Sequence, residues 1–158
     1  MDTYTRATMK CITSHMSNVT IKKLTSTGEL KELIAVFSRA FESSYDTKNE
    51  YLLSMLGNTA CVILGAVVED RIVGGLVAFE MMPIHGTKEL YLYDIAVHPE
   101  FQKQGMGKKL MEAIKEEART RGVEAILVEA ESEDEGAVAF YRALGGEEVA
   151  VNHFNFSI

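Results

Sequence analysis

Three apolar runs rich in β-branched residues follow one another in the middle of the chain. They lie at residues 60–69, 71–81 and 89–98. The pair Glu69-Asp70 leaves room only for a tight turn, and Pro83 and Gly86 mark a short loop before the third run. Parallel neighbours need a crossover of about a dozen residues or more, so these connections favour antiparallel pairing. The centre of the chain therefore predicts an antiparallel meander.

Periodic segments surround this meander on both sides. Thr27, just before Gly28 and Glu29, is predicted to cap the first helix. The predicted elements are a strand at 19–24, helices at 30–41 and 51–56, a helix at 106–121 stopped by Gly122, a strand at 125–130, a helix at 136–144 and a final strand at 148–156. This order is typical of one α/β sheet with helices on its faces.

The domain organisation follows from length and from the absence of linkers. The 158 residues suit one domain, and no Gly/Ser-rich linker interrupts them. Residues 1–15 show no periodicity, and Ser14-His15-Met16 looks like a cloning scar before a native start. We therefore expect a disordered or cloning-derived tail over 1–15 and a single domain over 16–158.

The cellular setting is inferred from the cysteines and the apolar runs. The longest apolar run, Ala60–Val68, is far shorter than the roughly 20 residues of a membrane span. Cys11 and Cys61 cannot build a disulfide framework or a four-thiolate zinc site. We therefore expect a cytoplasmic protein without a membrane partner.

Net charge restricts the class of ligand. The chain carries 23 acidic and 16 basic residues, for a net charge of −7. Nucleic-acid binders need a basic face to neutralise phosphates, so nucleic acid is disfavoured as a partner. An acidic protein is better matched to a cationic ligand, although such a charge also serves solubility alone.

A strand that runs into a glycine-bearing turn and then a helix is the sharpest motif, over residues 90–108. The first amides of a helix point outward and carry partial positive charge, so this junction predicts an anion cradle suited to a pyrophosphate. Neither the P-loop pattern nor the GxGxxG dinucleotide pattern is present. The pattern that stands here is Gln102-x-x-Gly105-x-Gly107.

This loop pattern resembles the Gln/Arg-x-x-Gly-x-Gly/Ala signature of the GNAT superfamily of acetyl-CoA-dependent N-acetyltransferases. A second match lies downstream, where Ala137, Tyr141 and Gly145 fit the Ala-x-x-x-Tyr-x-x-x-Gly pattern of a later helix in that family. The resemblance implies a GNAT fold: a central mixed, mostly antiparallel, twisted sheet flanked by about four helices.

A narrower resemblance is to the GNAT-type aminoglycoside 3-N-acetyltransferases. It rests on Tyr91–Val97, on the acidic run at 129–135 and on the ending at 147–154. Two positions depart from that group: Gly136 stands where proline is usual, and Gly146 where an apolar residue is common. These departures leave the exact substrate open.

The resemblance implies direct transfer from acetyl-CoA to a bound amine in a ternary complex, with no metal. The pantetheine arm would lie along the central strand, the pyrophosphate on the following loop and helix start, and backbone N–H groups of that strand would face the oxyanion. The expected acetyl-CoA-binding residues are Ile95, Ala96, Val97, Gln102, Lys103, Gln104, Gly105, Met106, Gly107, Lys108 and Tyr141.

Two catalytic residues are predicted. Asp94 is the only charged residue between Leu90 and Val97, and a carboxylate among apolar neighbours often has a tuned pKa. It would hold the acceptor ammonium and accept a proton directly or through water; the alternative is a structural carboxylate at a strand end. The family match makes Tyr141 the acid that protonates the CoA thiolate, whereas a helix tyrosine is usually a packing residue.

The acceptor site is predicted from carboxylates. Five of the seven residues at 129–135 are acidic, a run that is usually a solvated loop but that the resemblance puts at the acceptor cleft. Clustered carboxylates can bind the several ammonium groups of a polyamine-like antibiotic. The predicted substrate-binding residues are Glu80, Tyr93, Asp94, Glu131, Asp134 and Glu135.

The predicted function is acetylation of the 3-amino group of an aminoglycoside, which would confer antibiotic resistance. A polyamine or a protein lysine is the first alternative acceptor, and a non-catalytic acyl-CoA-binding module is the second reading. The four histidines are scattered and lack metal-ligand spacing. A homodimer is compatible with the resemblance, but the sequence identifies no interface.

Overall fold

The computed structural model describes residues 19–158, so the predicted tail over 1–15 lies outside the described residues. The chain divides into two compact units, one that ends at Val128 and one over Glu129–Ile158. The prediction of a single domain over 16–158 stays a prediction.

The first unit contains a five-stranded sheet with the strand order β1-β2-β3-β4-β5. The elements are β1 Thr20–Lys23, α1 Thr27–Ala40, α2 Asn49–Gly57, β2 Cys61–Val68, β3 Arg71–Met81, β4 Glu89–Val97, a 3₁₀ turn Pro99–Phe101, α3 Met106–Arg121 and β5 Ala125–Val128. The first four strands pair antiparallel, and only β4 and β5 pair parallel. The predicted α/β class with a mixed, mostly antiparallel sheet is confirmed.

The cap of α1 differs from the prediction by one residue. Ser26, not Thr27, is the N-cap: its Oγ accepts from the Glu29 amide at 3.3 Å, and Glu29 Oε2 accepts from the Ser26 amide at 3.0 Å. This reciprocal pair is a capping box, which requires the acid three residues after the cap. The Lys22 ammonium, together with the Thr25 amide and Ser26, lowers the pKa of Glu29 to about 2.

Strand register divides the buried side chains between two faces of the sheet. One face carries Ile63, Val77 and Ala96, which cluster with side chains of α1 and α2. The opposite face carries the alternate, fully buried positions such as Leu76 and Leu90, and α3 packs on the strands there. We call the first of these the α1 face and the second the α3 face. No helix within residues 19–158 is long and apolar enough to span a membrane.

The second unit holds one helix, α4 at Glu135–Ala143. Asp134 caps its start, since Oδ1 accepts from the Ala137 amide at 2.9 Å. At its end the Gly145 amide donates to Arg142 O and the Gly146 amide to Tyr141 O, both at 3.0 Å, which is a Schellman motif. Gly145 supplies the left-handed conformation there, with φ of 81°.

The predicted final strand at 148–156 is wrong: this segment has no regular secondary structure. Its alternating apolar residues are typical of a strand, but a strand is defined by backbone hydrogen bonds to a neighbour. Residues 129–158 contain no other strand that could pair with it.

A substitution at Gly75 tests how closely α1 approaches the sheet. An added Cβ would lie 2.5 Å from Leu33 Cδ1 and 2.6 Å from the Leu64 carbonyl oxygen, so Gly75→Ala should reduce the free energy of unfolding by about 1–3 kcal/mol. Gly57→Ala is the matched control, because its Cβ would meet nothing within 4 Å. It should be neutral or stabilise by up to about 1 kcal/mol. Urea unfolding measures both, and equal values would contradict this view of the packing.

Candidate active site

A one-residue bulge in β4 sets the direction of the central side chains. Leu92 pairs with Ala78 and Asp94 pairs with Val77, so Tyr93 is an extra residue without a partner on β3. A bulge of this kind shifts the alternation of a strand by one position. Asp94 therefore lies on the α1 face, opposite to Leu92 two residues earlier.

The Asp94 carboxyl group on β4 is half-buried. Within residues 19–128 no hydrogen bond or ion pair engages it. Burial disfavours its charged form and raises its pKa above the ordinary value for aspartate. A carboxylate in this state has a strong tendency to bind a cation or to take up a proton.

The aromatic pair Phe79 and Tyr91 lies on the same face of the sheet as Asp94. Tyr93 is 66% exposed, and its ring contacts Phe79 and Tyr91 at centroid distances of 6.3 and 6.1 Å, edge to face in both cases. We call these three rings the aromatic shelf. Such rings attract cations over their faces. The sequence analysis selected Tyr93 but missed Phe79 and Tyr91, because the bulge decides whether Asp94 lies on the same side of the sheet as these two rings.

Beyond Leu92, the side of β4 that faces away from β3 has no strand partner among residues 19–158, and we call this side the open edge of β4. The parallel pairing with β5 ends at Leu92 and Val128, so residues 93–97 extend beyond it. The His98 amide donates to Val73 O on β3 at 2.8 Å. Since backbone groups alternate in direction along a strand, the N–H and C=O groups of Ile95 and Val97 point away from β3. This edge can pair with an extended ligand as another strand would.

The loop after β4 leads into an uncapped helix. Lys103 and Gly105 take left-handed conformations, with φ of 58° and 79°, and Gly105 is the N-cap of α3 without a side-chain acceptor. The first helical hydrogen bond is from the Lys109 amide to Gly105 O at 3.1 Å, so the preceding amides have no helical partner. The first turn of α3 contains no acid, unlike that of α1. A helix start of this kind favours a bound anion, and the anion cradle stays a prediction.

Glu80 lies on the other side of the sheet. It pairs with Leu90 in the register, which places it on the α3 face. Its oxygens bind Lys88 at 2.9 Å and Arg121 at 3.1 Å, and these two cations lower its pKa. The structure thus separates Glu80 from Asp94 and gives it ion-pair partners within its own face.

The second unit contains the remaining predicted residues. Tyr141 lies in the middle of α4, with its ring 5.2 Å from that of Phe140. The acidic run is exposed, and part of it has local partners: Asp134 caps α4, and Glu129 approaches His153 at 3.3 Å. Glu131 and Glu135 are exposed beside this cap. The acids thus stabilise the start of α4 as well as concentrating negative charge.

Solved structures share this fold. An aminoglycoside acetyltransferase from an uncultured soil metagenomic sample, crystallised with trehalose, is 30% identical with a TM-score of 0.83, over 89% of this chain and 96% of that one. The same enzyme crystallised with sisomicin gives 29% identity and the same TM-score of 0.83. An aminoglycoside N-acetyltransferase in complex with CoA, at 16% identity and a TM-score of 0.77 over 89% of this chain and 95% of that one, shares the fold.

A curated relative is named for a different acceptor. The [ribosomal protein bS18]-alanine N-acetyltransferase of Salmonella typhimurium is 38% identical over 63 residues, which cover 40% of this chain and 43% of that enzyme. The chain thus aligns with less than half the length of this curated relative.

The profile of the acetyltransferase (GNAT) family matches residues 30–145. This range includes the bulged strand, the open edge of β4, the uncapped start of α3 and the tyrosine helix α4. With this match over well more than half of its length, the chain belongs to the GNAT acetyltransferase family.

Proposed function

We propose that this protein transfers the acetyl group of acetyl-CoA to a primary amine of a polycationic small molecule, with the 3-amino group of an aminoglycoside as the best candidate. The observation that carries the proposal is the position of Asp94. Its half-buried carboxyl group has no polar partner within residues 19–128, and it lies on the strand whose open edge leads into the anion cradle. One strand thus joins a group that attracts an amine to a surface suited to a thioester.

The donor side of the reaction uses backbone groups. In the proposal, the pyrophosphate of acetyl-CoA binds the amides between Lys103 and Lys108, and the pantetheine arm pairs with Ile95–Val97. The outward N–H groups of that edge then face the thioester carbonyl and stabilise the oxyanion as it forms. Holding both reactants in place supplies much of the rate acceleration.

The acceptor side uses Asp94 and the aromatic shelf. The raised pKa of Asp94 suits a group that accepts a proton from an ammonium, directly or through water. The exposed ring of Tyr93 offers a second attraction for the same cation. The acids Glu131, Asp134 and Glu135 are proposed to bind further ammonium groups, while the ion-paired Glu80 is assigned to the packing of α3 instead.

An aminoglycoside is favoured as the acceptor by the relatives and by charge. The sisomicin-bound enzyme superposes on 89% of this chain at 29% identity and a TM-score of 0.83. The net charge of −7 also suits a polycation. The rival acceptor is the N-terminal amine of a protein, which the curated relative favours, and a polyamine or a lysine side chain uses the same chemistry.

The deciding experiment is release of free CoA thiol from acetyl-CoA with a panel of amines. The panel holds sisomicin, spermidine, a peptide with an N-terminal alanine and a peptide with an internal lysine. We expect turnover with sisomicin alone and, by NMR of the product, an acetyl group on the 3-amino nitrogen. Turnover with a peptide or with spermidine alone would retain the donor chemistry and reject the aminoglycoside.

Asp94→Asn separates activity from stability. We expect kcat/KM for the acceptor to fall by about 100-fold or more, because the variant cannot accept a proton. The raised pKa means that folded protein holds this proton more tightly than unfolded protein, so ionisation of Asp94 costs stability as pH rises above its ordinary 3.8. At pH 7 the variant should therefore unfold at the same urea concentration as wild type, or at a higher one.

The control for this prediction is Asp70→Asn in the β2–β3 turn, which makes the same charge change away from the site. It should retain wild-type kcat/KM. When kcat/KM of the wild-type enzyme is plotted against pH, the pKa of its acidic limb should lie above the usual range of aspartate. The Asp94→Asn variant should lack this limb. An Asp94→Asn enzyme with near-normal turnover would reject the assignment.

Tyr141→Phe tests the proposed thiolate acid. Loss of the hydroxyl should lower kcat by about 100-fold while the KM for acetyl-CoA changes little, because a proton donor acts in the chemical step. Tyr51→Phe, at a tyrosine that is 62% exposed on α2, is the control and should leave kcat unchanged. An unaltered kcat in the Tyr141 variant would mean that water protonates the leaving group.

A further inference from the structure

The structure assigns a positioning role to the Gln102 side chain, which joins the anion cradle to the open edge of β4. Its carboxamide Nε2 donates to the Val97 carbonyl oxygen at 2.9 Å. We call this hydrogen bond the Gln102 brace. The inference rests on the proposed function, because it concerns how one ligand reaches both the cradle and the edge.

The geometry of the loop shows why this bond differs from its neighbours. Most of the other hydrogen bonds of the loop are local: Phe101 N to His98 O at 2.8 Å and Gln104 Nε2 to Glu100 O at 3.1 Å. These contacts shape the loop from within. The Gln102 brace instead returns to the last residue of β4 and fixes the loop relative to the strand.

The brace also determines which strand groups a ligand can use. The Val97 carbonyl points away from β3 toward the open edge, where the Gln102 carboxamide already satisfies it. An extended ligand is therefore directed to the outward groups of Ile95 and to the Val97 N–H. The pairing register on the edge is set by the same side chain that fixes the position of the cradle.

A ligand that binds both the anion cradle and the open edge of β4 reports whether Gln102 fixes the distance between them. A molecule that binds the cradle at one end and the strand edge at the other gains affinity because its second end is presented at high effective concentration. That gain requires a constant separation between the two anchor sites. A fragment that reaches only the cradle is insensitive to the separation.

The test compares CoA with ADP by isothermal titration calorimetry. Gln102→Met keeps the length of the side chain and removes the donor. We expect its Kd for CoA to rise about 5- to 10-fold, the factor that corresponds to one net hydrogen bond, while its Kd for ADP stays within about 2-fold of wild type. Gln102→Arg retains N–H donors of similar reach but adds a positive charge that favours both ligands, so the ratio of its Kd values for CoA and ADP should return to that of wild type.

Asn58→Ala is the matched control. It also removes one exposed side chain–backbone hydrogen bond, from the Ala60 amide to Asn58 Oδ1 at 3.0 Å, in the turn between α2 and β2. It should leave both Kd values unchanged. Because Gln102 is exposed, each variant should keep the wild-type thermal midpoint within a few degrees, which the same samples can report.

Two results would overturn the inference. Equal losses of CoA and ADP affinity in Gln102→Met would mean that the side chain serves the cradle alone. An unchanged Kd for CoA would mean that the Gln102 brace has no effect on ligand binding. A wild-type protein that binds neither CoA nor ADP would instead reject the proposed function, so the two failures are distinguishable.

In steady-state assays the same change has a kinetic signature. Gln102→Met should raise the KM for acetyl-CoA and lower kcat, because the thioester is held less often in register with the strand edge. The KM of the acceptor amine should stay near its wild-type value. A rise confined to the acceptor KM would place Gln102 in the amine site and contradict the positioning role.

Discussion

The pairing of β3 with β4, with one residue inserted at Tyr93, is the constraint on which the site depends. If the two strands matched residue for residue, Asp94 would share the α3 face with Leu92, where α3 packs on the strands. The insertion turns it to the α1 face beside the aromatic shelf. Pairing with β5 ends next to the same point, at Leu92, so the open edge and the turned carboxyl group lie on one short segment.

The N-termini of α1 and α3 differ in how their unpaired backbone amides are satisfied. The start of α1 is closed by the Ser26–Glu29 capping box, and a Lys22 ammonium binds the Glu29 carboxylate at 2.8 Å. The start of α3 has no side-chain cap, no acid in its first turn and lysines nearby. Positive side chains at a helix start are unfavourable for the helix itself. This arrangement therefore suits a bound anion, which would offset that cost.

Much of the fold was predictable from periodicity. The helix at 106–121 and the strand at 71–81 match the structure residue for residue, because their apolar spacing and the flanking Gly122 and Glu69-Asp70 signals are local. The cap of α1 was misplaced by one residue, since Ser26 and Thr27 are both good caps and only the distance to Glu29 separates them. The final strand was wrong because alternation signals a strand without supplying its neighbour.

The sequence by itself determined the chemistry of the candidate site: a lone acid in an apolar strand, a glycine-bearing helix start and a tyrosine helix. Each of these signals is carried by a few adjacent residues and acts through the local backbone. Only the tertiary structure decided that Asp94 and Glu80 face opposite sides of the sheet and that Phe79 and Tyr91 join Tyr93. The face on which each side chain lies depends on the pairing register of β3 and β4. One inserted residue in β4 moves Asp94 to the opposite face, and no local sequence signal marks that insertion.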